Sequence, residues 1–553
     1  MPLLFAQHLI GLYTQTEPHS LRDTVANRLS LARVKLGQKL LRSPLHKTYL
    51  QLCRHLPGWV RTERSRYSLF SRETARRLPG PGEQTAEHKS WKNHPKISIL
   101  LTTHGTKERW IKEAVESVFA QSYENWQLCI GDDASGLAWF SGLLTDWQAR
   151  DSRVCVDSSP SRRGISAALN SAAAMATGEF VAFLDHDDVL DPMALHFVAA
   201  QMQDRSPDII YTDEDFIDSN SRLQRPHFKP AWSPHLLNGC MYLGHLVVMR
   251  RSLFHELGGF RTEFDGAQDY DLALRASERQ PMVVHVPYVA YHWRMHPESM
   301  AQSPGNKPYT HELGKRAVEE SLQRRGLNEV SVLTNNVPNL YFLRRKESNF
   351  ARNGVEVIRH LPQVRSLNAS ASATNAEYLI FVDARLKEAG PETLDLLVAP
   401  LSYPGVGIVG GKIQLEDGRI LHAGFAFGGG SAVHLGLGTF GNASWPWLAV
   451  SREVSAVSGN ALCVRKDVFE SLGGFDAALP APYYAIDFCL RAAQSGLTTM
   501  IETSAIFTLT RDEPLEPAAS WDDWVRFMTR WGAEVSAPDA FYSPQLPLVA
   551  VLP

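Results

Sequence analysis

The chain has 553 residues, enough for about three or four domains at roughly 150 residues each. Hydrophobic residues make up 44% and charged residues 21%, the balance of an ordinary soluble protein, which excludes collagen-like, mostly disordered and disulfide-stapled classes. A formal charge of −3, from 56 Lys and Arg against 59 Asp and Glu, excludes a globally basic nucleic-acid binder, so no nucleic-acid partner is expected.

The first 90 residues depart from that average, with 15 Lys and Arg against 6 Asp and Glu; the other 463 residues carry −12. The start, MPLLFAQHLIGLY, has no basic segment before its apolar stretch and makes a poor signal peptide. Leu21, Val25, Leu29, Ala32, Leu36 and Leu40 recur at helical spacing, with Arg22, Arg28, Arg33, Lys35 and Lys39 off that stripe. Such a helix admits two readings: a peripheral dock on an anionic membrane or acidic partner, or an extension packed on the main body with a solvated basic face. LPGPGEQTAEHKS at 78–90 reads as a linker, so residues 1–90 form a basic helical extension.

Strands and helices then alternate. KISILLT (96–102) predicts a buried strand, 107–122 a helix, WQLCIGDD (126–133) a strand ending in two acids, and 137–149 a helix. RVCVDSS, a small-residue helix over 164–178 and the strand EFVAFL (179–184) follow; that strand runs into Asp185-His186-Asp187-Asp188. This order predicts an α/β fold with a mostly parallel sheet, whose ligands bind beyond the C-terminal strand ends. Six cysteines (Cys53, Cys129, Cys155, Cys240, Cys463, Cys489) stand singly, which argues against zinc and for a reducing compartment. No run approaches about 18 apolar residues, so no membrane-spanning helix is expected.

Asp185, Asp187 and Asp188 repel one another unless a cation or hydrogen-bond donors offset them. Mg²⁺ or Mn²⁺ takes one or two protein carboxylates plus phosphate oxygens, so the group suits a metal–diphosphate site. Asp132 and Asp133 end the neighbouring strand, where a carboxylate can accept from a base or ribose. Each acidic string alone also fits a solvated surface loop; two such ends in one sheet favour a site.

The stretch from KISILLTTHG to IGDDASG, followed by GEFVAFLDHDDVLDP, resembles the nucleotide-binding half of inverting family 2 glycosyltransferases, which have the GT-A fold. IIYTDEDFID, HFKPAWSPHLL, LGGF, GAQDYDLALR and YHWRMHPESM extend the likeness over about 97–300, toward enzymes that build bacterial surface polysaccharides such as O-antigen or rhamnan. The resemblance implies nucleotide contacts from Thr103, His104, Asp132 and Asp133, although Thr102-Thr103-His104-Gly105 departs from the family's usual turn. It implies a metal at Asp187 and Asp188, with Asp188 the direct ligand, and Asp185 on the turn or a sugar hydroxyl. Asp269, at the start of a helix, matches the family's catalytic base; Asp271 is its structural neighbour. His292, Arg294 and His296 match the segment that closes over the diphosphate, with Arg294 suited to phosphate and His292 to the metal, while a packed histidine is an equal reading for each. Asp213, Glu214 and Asp215 line an acceptor or sugar pocket or form a solvated acidic turn. Trp232 and Lys229 border the acceptor groove, or Trp232 packs in the core.

The second half repeats the first. NSAAAMATGEFVAFLDHDDVLDP (170–192) aligns with NASASATNAEYLIFVDARLKEAG (368–390), LVVMRRSLFHELGGF (246–260) with ALCVRKDVFESLGGF (461–475), and DYDLALR (269–275) with AIDFCLR (485–491). Arg385 and Leu386 replace Asp187 and Asp188, and Ala485 replaces Asp269. The region 327–367 offers YFLRR and VEVIRHL as strands. GKIQLEDGRILHAGFAFGGG (411–430) resembles an acceptor-side hairpin, and WDDWVRFMTRWG a short Trp-rich amphipathic helix.

The expected organisation is therefore a catalytic domain over 91–326, a degenerate and noncatalytic copy over 327–512, and a C-terminal helix and tail over 513–553. The expected activity is metal-dependent, inverting transfer of a hexosyl or deoxyhexosyl group from a UDP- or dTDP-sugar to a growing glycan or lipid-linked acceptor. The expected place is the cytoplasm, or the inner face of the cytoplasmic membrane. The alternative is a catalytically silent carbohydrate-binding or scaffolding subunit of a polysaccharide-assembly complex.

Overall fold

The computed structural model describes residues 63–296, 308–334, 337–346, 354–361, 364–437, 439, 448–511, 514–516 and 519–545. The basic stripe between Leu21 and Leu40 lies outside these residues. Helix Glu63–Arg77 buries Tyr67 and Phe70 against Phe228. The stretch expected as a linker is itself largely helical, Pro81–Ser90. Pro81 occupies the first turn, where its missing N–H costs no intrahelical bond, and Glu83 Oε2 accepts the Gly80 N–H at 2.7 Å. His88 then docks on His196, ring nitrogen to ring nitrogen, at 2.8 Å.

The first sheet contains β1 (Ile97–Thr103), β2 (Trp126–Asp132), β3 (Val154–Ser158), β4 (Phe180–Asp185), β5 (Val189–Leu190), β6 (Ile209–Ile217), β7 (Leu223–His227), β8 (Val247–Arg250) and β9 (Val283–Arg294). Its order is β3-β2-β1-β4-β8-β6-β9-β5, with β7 on β6. Strands β1–β4 are mutually parallel, β8 runs antiparallel to β4 and β6, and β9 is parallel to β6. The register sets Thr103 beside Asp132 and Thr102 beside Asp185, so the acid-tipped ends lie along one rim. β1 and β2 are buried throughout, as befits near-continuous apolar strands covered on both faces.

A hairpin, β10 (Val330–Thr334) and β11 (Tyr341–Arg345), leads to the second sheet; β10 is a strand that the apolar pattern had not marked. The second sheet contains β12 (Val355–His360), β13 (Tyr378–Asp383), β14 (Leu386–Glu388), β15 (Val406–Leu415) and β16 (Ile420–His422). After a separate hairpin of β17 (Phe425–Gly428) and β18 (Ser431–His434), β19 (Arg452–Glu453), β20 (Ala461–Arg465) and β21 (Thr498–Leu509) complete it. Its order, β12-β13-β20-β15-β21-β14, reproduces β1-β4-β8-β6-β9-β5 strand for strand and direction for direction. Among the described residues no strands of this sheet correspond to β2 and β3.

The two copies also share their polar joints. Asn170 clamps Phe260 by two hydrogen bonds of 2.8 and 2.9 Å, and Asn368 clamps Phe475 by two of 2.7 and 3.0 Å. Gly259 and Gly474 both take positive φ, 71° and 69°. A Cβ on Gly259 would lie 2.5 Å from the Asn170 carboxamide oxygen, so glycine is required by conformation and by space. Asp271, wholly buried, holds Arg275 and Arg261, and Asp487 holds Arg491 and Arg530 in the same manner. One apolar core joins the copies, bringing Leu236, Leu237 and Tyr270 against Val406, Val450 and Phe507. Helix Trp521–Ser536 packs Phe527, Trp531 and Val535 onto the second copy.

Replacing Asp271 with Ala strands two guanidinium groups around a buried gap. The expected loss is about 3 kcal/mol, read as an earlier first transition in urea unfolding; Asp269→Asn, beside it but open to solvent, should move that transition by about 0.5 kcal/mol or less.

Candidate active site

Three acids follow β4, and the turn sends them in different directions. Asp185 remains half open to solvent and lies 3.7 Å from His245 Nε2. Asp187 Oδ2 pairs with His296 Nε2 at 2.8 Å. Burial pushes the Asp187 carboxyl up, but the His296 hydrogen bond and the charges of His186 and His296 outweigh it, and the net shift is downward. Asp188 turns inward and has no exposed surface. Its oxygens accept from Tyr291 Oη at 2.6 Å and from the Arg294 backbone N–H at 2.7 Å. Burial, with Asp187 and Asp185 nearby, raises the Asp188 pKa well above the ordinary carboxylate range.

Asp188, expected as the direct metal ligand, is thus buried in this structure with both carboxylate oxygens engaged. Asp188 ties β9 to the end of β4, while Asp187 and Asp185 are the acids whose side chains retain solvent access. Arg294, expected to grip phosphate, is also wholly buried. Its guanidinium bonds the Asp187 carbonyl at 2.5 Å, Ser221 Oγ at 2.8 Å and Glu113 Oε2 at 2.7 Å, so it fixes the turn from behind. His292, expected at the metal, gives its Nδ1 to Asp215 at 2.7 Å.

The acidic triplet of β6 is neither a solvated turn nor a pocket lining. Asp213 accepts from Lys229 N at 2.8 Å and meets His285 at 2.9 Å. Glu214 meets His227 at 2.7 Å and His245 Nδ1 at 3.1 Å, with Lys229 Nζ at 3.7 Å. Burial would raise Glu214, but Lys229 and the two histidines hold it well below the usual range. Asp215 takes Tyr67 Oη at 2.5 Å besides His292. Lys229 is buried on three carbonyls, those of Thr212, Leu243 and His245, and Trp232 packs on the core shared by the two copies. Lys229 is wholly buried and Trp232 partly so.

At the nucleotide end, the Asp133 carboxylate accepts Arg163 N at 2.6 Å and Gly164 N at 3.0 Å. It thereby satisfies two backbone N–H groups just before helix Ile165–Ala174 begins. Asp132, on β2, accepts the Ser135 N–H at 3.1 Å. Thr103 Oγ1 is buried without a hydrogen-bond partner, and His104 is exposed with Nδ1 on the Asp133 carbonyl at 2.7 Å.

Asp269 opens helix Gln268–Ser277, and its Oδ1 accepts the Tyr270 N–H at 2.8 Å. Solvent reaches the side chain, yet protein crowds around it. That crowding, with the negative charge of Asp185, raises its pKa, while His245 and the Tyr270 N–H oppose the shift. Asp269 thus shares one electrostatic neighbourhood with Asp185 and His245, although 84 residues separate the two acids in sequence. His245 carried no sequence signal. It stacks on Tyr291 with centroids 4.6 Å apart; burial would lower its pKa, but Glu214, Asp185 and Asp188 raise it to about 9. His245 thus brings a second basic group to the site beside the buried Arg294 guanidinium, which bonds the Asp187 carbonyl.

The donors left open suit a hard divalent cation. Asp185 and Asp187 present carboxylate oxygens, one of those on Asp187 being paired with His296. Among the described residues no group of three or more His, Cys, Asp or Glu is placed to hold a metal ion; Mg²⁺ is commonly bound through only one or two protein carboxylates, with phosphate and water supplying the rest.

In the second copy the same positions are closed. Arg385, in the place of Asp187, pairs in bidentate fashion with Asp383 at 3.0 and 2.8 Å. It also bonds the carbonyls of Pro514 and Leu515, and Glu516 reaches Ser458 at 2.7 Å and His434 at 3.1 Å. Asn460 replaces His245, and Ala485 replaces Asp269.

A mixed sheet with open acids on its C-terminal rim, an acid-led helix facing them and a partial repeat behind defines a nucleotide-sugar transferase architecture of the GT-A type. Residues 98–258 match the sequence profile of glycosyl transferase family 2, and this part of the chain belongs to that family. The uncharacterized protein y4gI of Sinorhizobium fredii is 34% identical over 476 residues, 73% of this chain and 52% of that protein. The O-antigen biosynthesis protein RfbC of Myxococcus xanthus is 28% identical over 524 residues, 82% of this chain and 40% of that protein. The chain thus spans about half or less of the length of these relatives. Among solved structures, residues 1–349 of S. aureus TarS align with 17% identity and a TM-score of 0.34, covering 41% of this chain and 65% of that one. Among the described residues no helix is long and apolar enough to cross a membrane.

His245 yields a pH signature. Its folded pKa of about 9 exceeds the unfolded value of about 6.5, so the charged form adds stability that is complete below about pH 6.5 and disappears as pH rises through 9. Thermal melts should weaken over that window by an amount on the order of 3 kcal/mol, and His245→Gln should flatten the decline.

Proposed function

We propose that the first copy, residues 91–326, is an inverting, divalent-cation-dependent glycosyltransferase that moves a hexosyl or deoxyhexosyl group from a UDP- or dTDP-sugar. Its acceptor is a growing surface glycan or a lipid-linked oligosaccharide, reached in the cytoplasm or on the inner face of the cytoplasmic membrane, with the basic N-terminal stripe as membrane contact. Residues 327–512 are a noncatalytic copy. The observation that carries this reading is the juxtaposition of Asp269 with Asp185, set against Ala485 and Arg385 at the matching places of the second copy. The name of the Myxococcus xanthus relative, an O-antigen biosynthesis protein, supports the acceptor class.

Asp269 is the base: as the acceptor hydroxyl oxygen forms its bond to the anomeric carbon, the hydroxyl proton passes to the Asp269 carboxylate. The anomeric bond to the diphosphate oxygen breaks on the opposite face, which inverts the centre. The crowding that lifts the Asp269 pKa strengthens it as a proton acceptor. Asp187 and Asp185 would hold a divalent cation, which would stabilise charge on the departing nucleoside diphosphate, and His296 orients Asp187. Thr103, His104 and Asp132 hold the base and ribose. His245 places a positive charge beside Asp185, and Asp188 with Tyr291 and Arg294 keeps the acid turn in shape.

A panel of nucleotide sugars with Mn²⁺, read by released nucleoside diphosphate, tests this. Asp269→Asn should lower kcat by about 10²- to 10⁴-fold with donor KM little changed. Asp187→Ala should abolish manganese-dependent donor binding in calorimetry, whereas Asp188→Asn should lower melting temperature more than donor affinity. Full turnover by Asp269→Asn would overturn the base assignment, and silence of the intact chain on every donor would favour a scaffolding role.

A further inference from the structure

We infer that Glu453, in the second copy, is a positioning residue for Asp269 in the first, acting through helix Pro234–Gly239 and Tyr270; this rests on the proposed role of Asp269. Glu453 is 3% exposed on the short strand β19, which pairs with β21. Its two carboxylate oxygens cross to the first copy: one accepts from Ser233 Oγ and the other from the His235 N–H at 2.9 Å. These donors lie at the start of helix Pro234–Gly239.

The far end of that helix is held from the same side. A Cβ on Gly239 would come within 2.9 Å of Val450 Cβ, so the helix abuts the second copy without slack. Between the two anchor points, the Leu237 carbonyl accepts Tyr270 Oη at 2.6 Å. Tyr270 in turn gives its backbone N–H to Asp269 Oδ1 at 2.8 Å. One residue therefore touches both the clamped helix and the proposed base. The path from Glu453 to Asp269 contains no gap: carboxylate to helix start, helix carbonyl to tyrosine hydroxyl, tyrosine amide to aspartate. Tyr270 also stacks on Tyr341 with centroids 5.9 Å apart, and Tyr341 is hydrogen-bonded to the His311 carbonyl at 3.0 Å, so the ring has little freedom to find another position. The second copy, stripped of its own acids, thereby supplies part of the first copy's geometry.

The test compares Glu453→Ala, Glu453→Gln and Tyr270→Phe in the full chain. Misplacement of a reacting group by a fraction of an ångström lowers turnover steeply, so Glu453→Ala should lower kcat about tenfold with donor KM unchanged. Glu453→Gln, which can still accept from His235 N and meet Ser233 Oγ, should restore most of that loss. Tyr270→Phe should cost a similar factor, and the double variant no more than either alone. Hydrogen exchange supplies a readout that needs no substrate: Glu453→Ala should raise exchange in 233–239 and at the start of helix Gln268–Ser277 together, leaving β1 and β2 unchanged. Exchange confined to 233–239, or multiplicative kcat losses in the double variant, would overturn the inference. An intact chain silent on every donor, with the coupled exchange present, would overturn the transferase reading alone.

Discussion

Uncompensated negative charge at the ends of β4 and β6 is the constraint around which the first copy is built. Seven carboxylates, Asp185, Asp187, Asp188, Asp213, Glu214, Asp215 and Asp269, come from β4, the turn after it, β6 and helix Gln268–Ser277, and a low-dielectric interior penalises each charge that lacks a partner. The fold answers with two treatments. Asp188 and the β6 triplet are buried and given Tyr291, Lys229, four histidines and Tyr67 as donors or counter-charges. Asp185, Asp187 and Asp269 are left in contact with solvent. The buried members hold the strand ends in register, and the open members retain their capacity to bind a cation or take a proton. His245 belongs to both groups, since it neutralises Glu214 with one nitrogen and faces Asp185 with the other.

Much of this was legible in the sequence because it is local. Short β-branched runs ending in acids predicted strands whose C-terminal ends share a rim, and the internal repeat predicted a second sheet with the same connections. What escaped was direction and distance. Asp187 and Asp188 are consecutive in the turn after β4, yet Asp187 pairs with His296 while Asp188 is buried on Tyr291 and the Arg294 N–H; the motif string hid that one of them is a core residue. Arg294 and His292 were read by type, as phosphate and metal binders, whereas their partners Glu113 and Asp215 come from a helix and a strand far along the chain. His245 has no motif at all: its role arises where β8 begins between Glu214 and Asp185. The helix Pro81–Ser90 was read as a linker because Pro and Gly dominate its first residues, although Pro at a helix start and a Glu reaching back to the preceding N–H are helix signals.

The second copy clarifies which features serve folding and which serve chemistry. It keeps the Asn–Phe clamp, the glycine at positive φ, the buried Asp–Arg joint and six strands in the same order, so these are requirements of the scaffold. It differs where the first copy leaves charge open. Arg385 neutralises Asp383 inside the turn, and the segment carrying Pro514, Leu515 and Glu516 bonds across the rim that in the first copy faces outward. A diphosphate arriving there would meet an arginine already engaged by a carboxylate and two carbonyls, plus the added negative charge of Glu516. With no counterpart of β2 among the described residues, that sheet also offers no equivalent of Asp132, the residue proposed to hold the nucleoside.

The copy proposed to be noncatalytic is nonetheless joined closely to the first. The apolar core is continuous across the pair, and Glu453 is the one charged group whose carboxylate is described bonding both the side chain and the backbone at the start of a helix in the opposite copy. A buried carboxylate with two good donors stabilises one arrangement of those donors over its neighbours more than it adds bulk stability. The helix it orients ends beside Tyr270, and Tyr270 is bonded to the residue proposed to accept the proton. A tandem chain built this way separates two tasks that a single domain must combine: one sheet tolerates exposed acids, crowding and raised pKa values at its rim, while the other, neutralised and closed, supplies the rigid surface against which that strained rim is set.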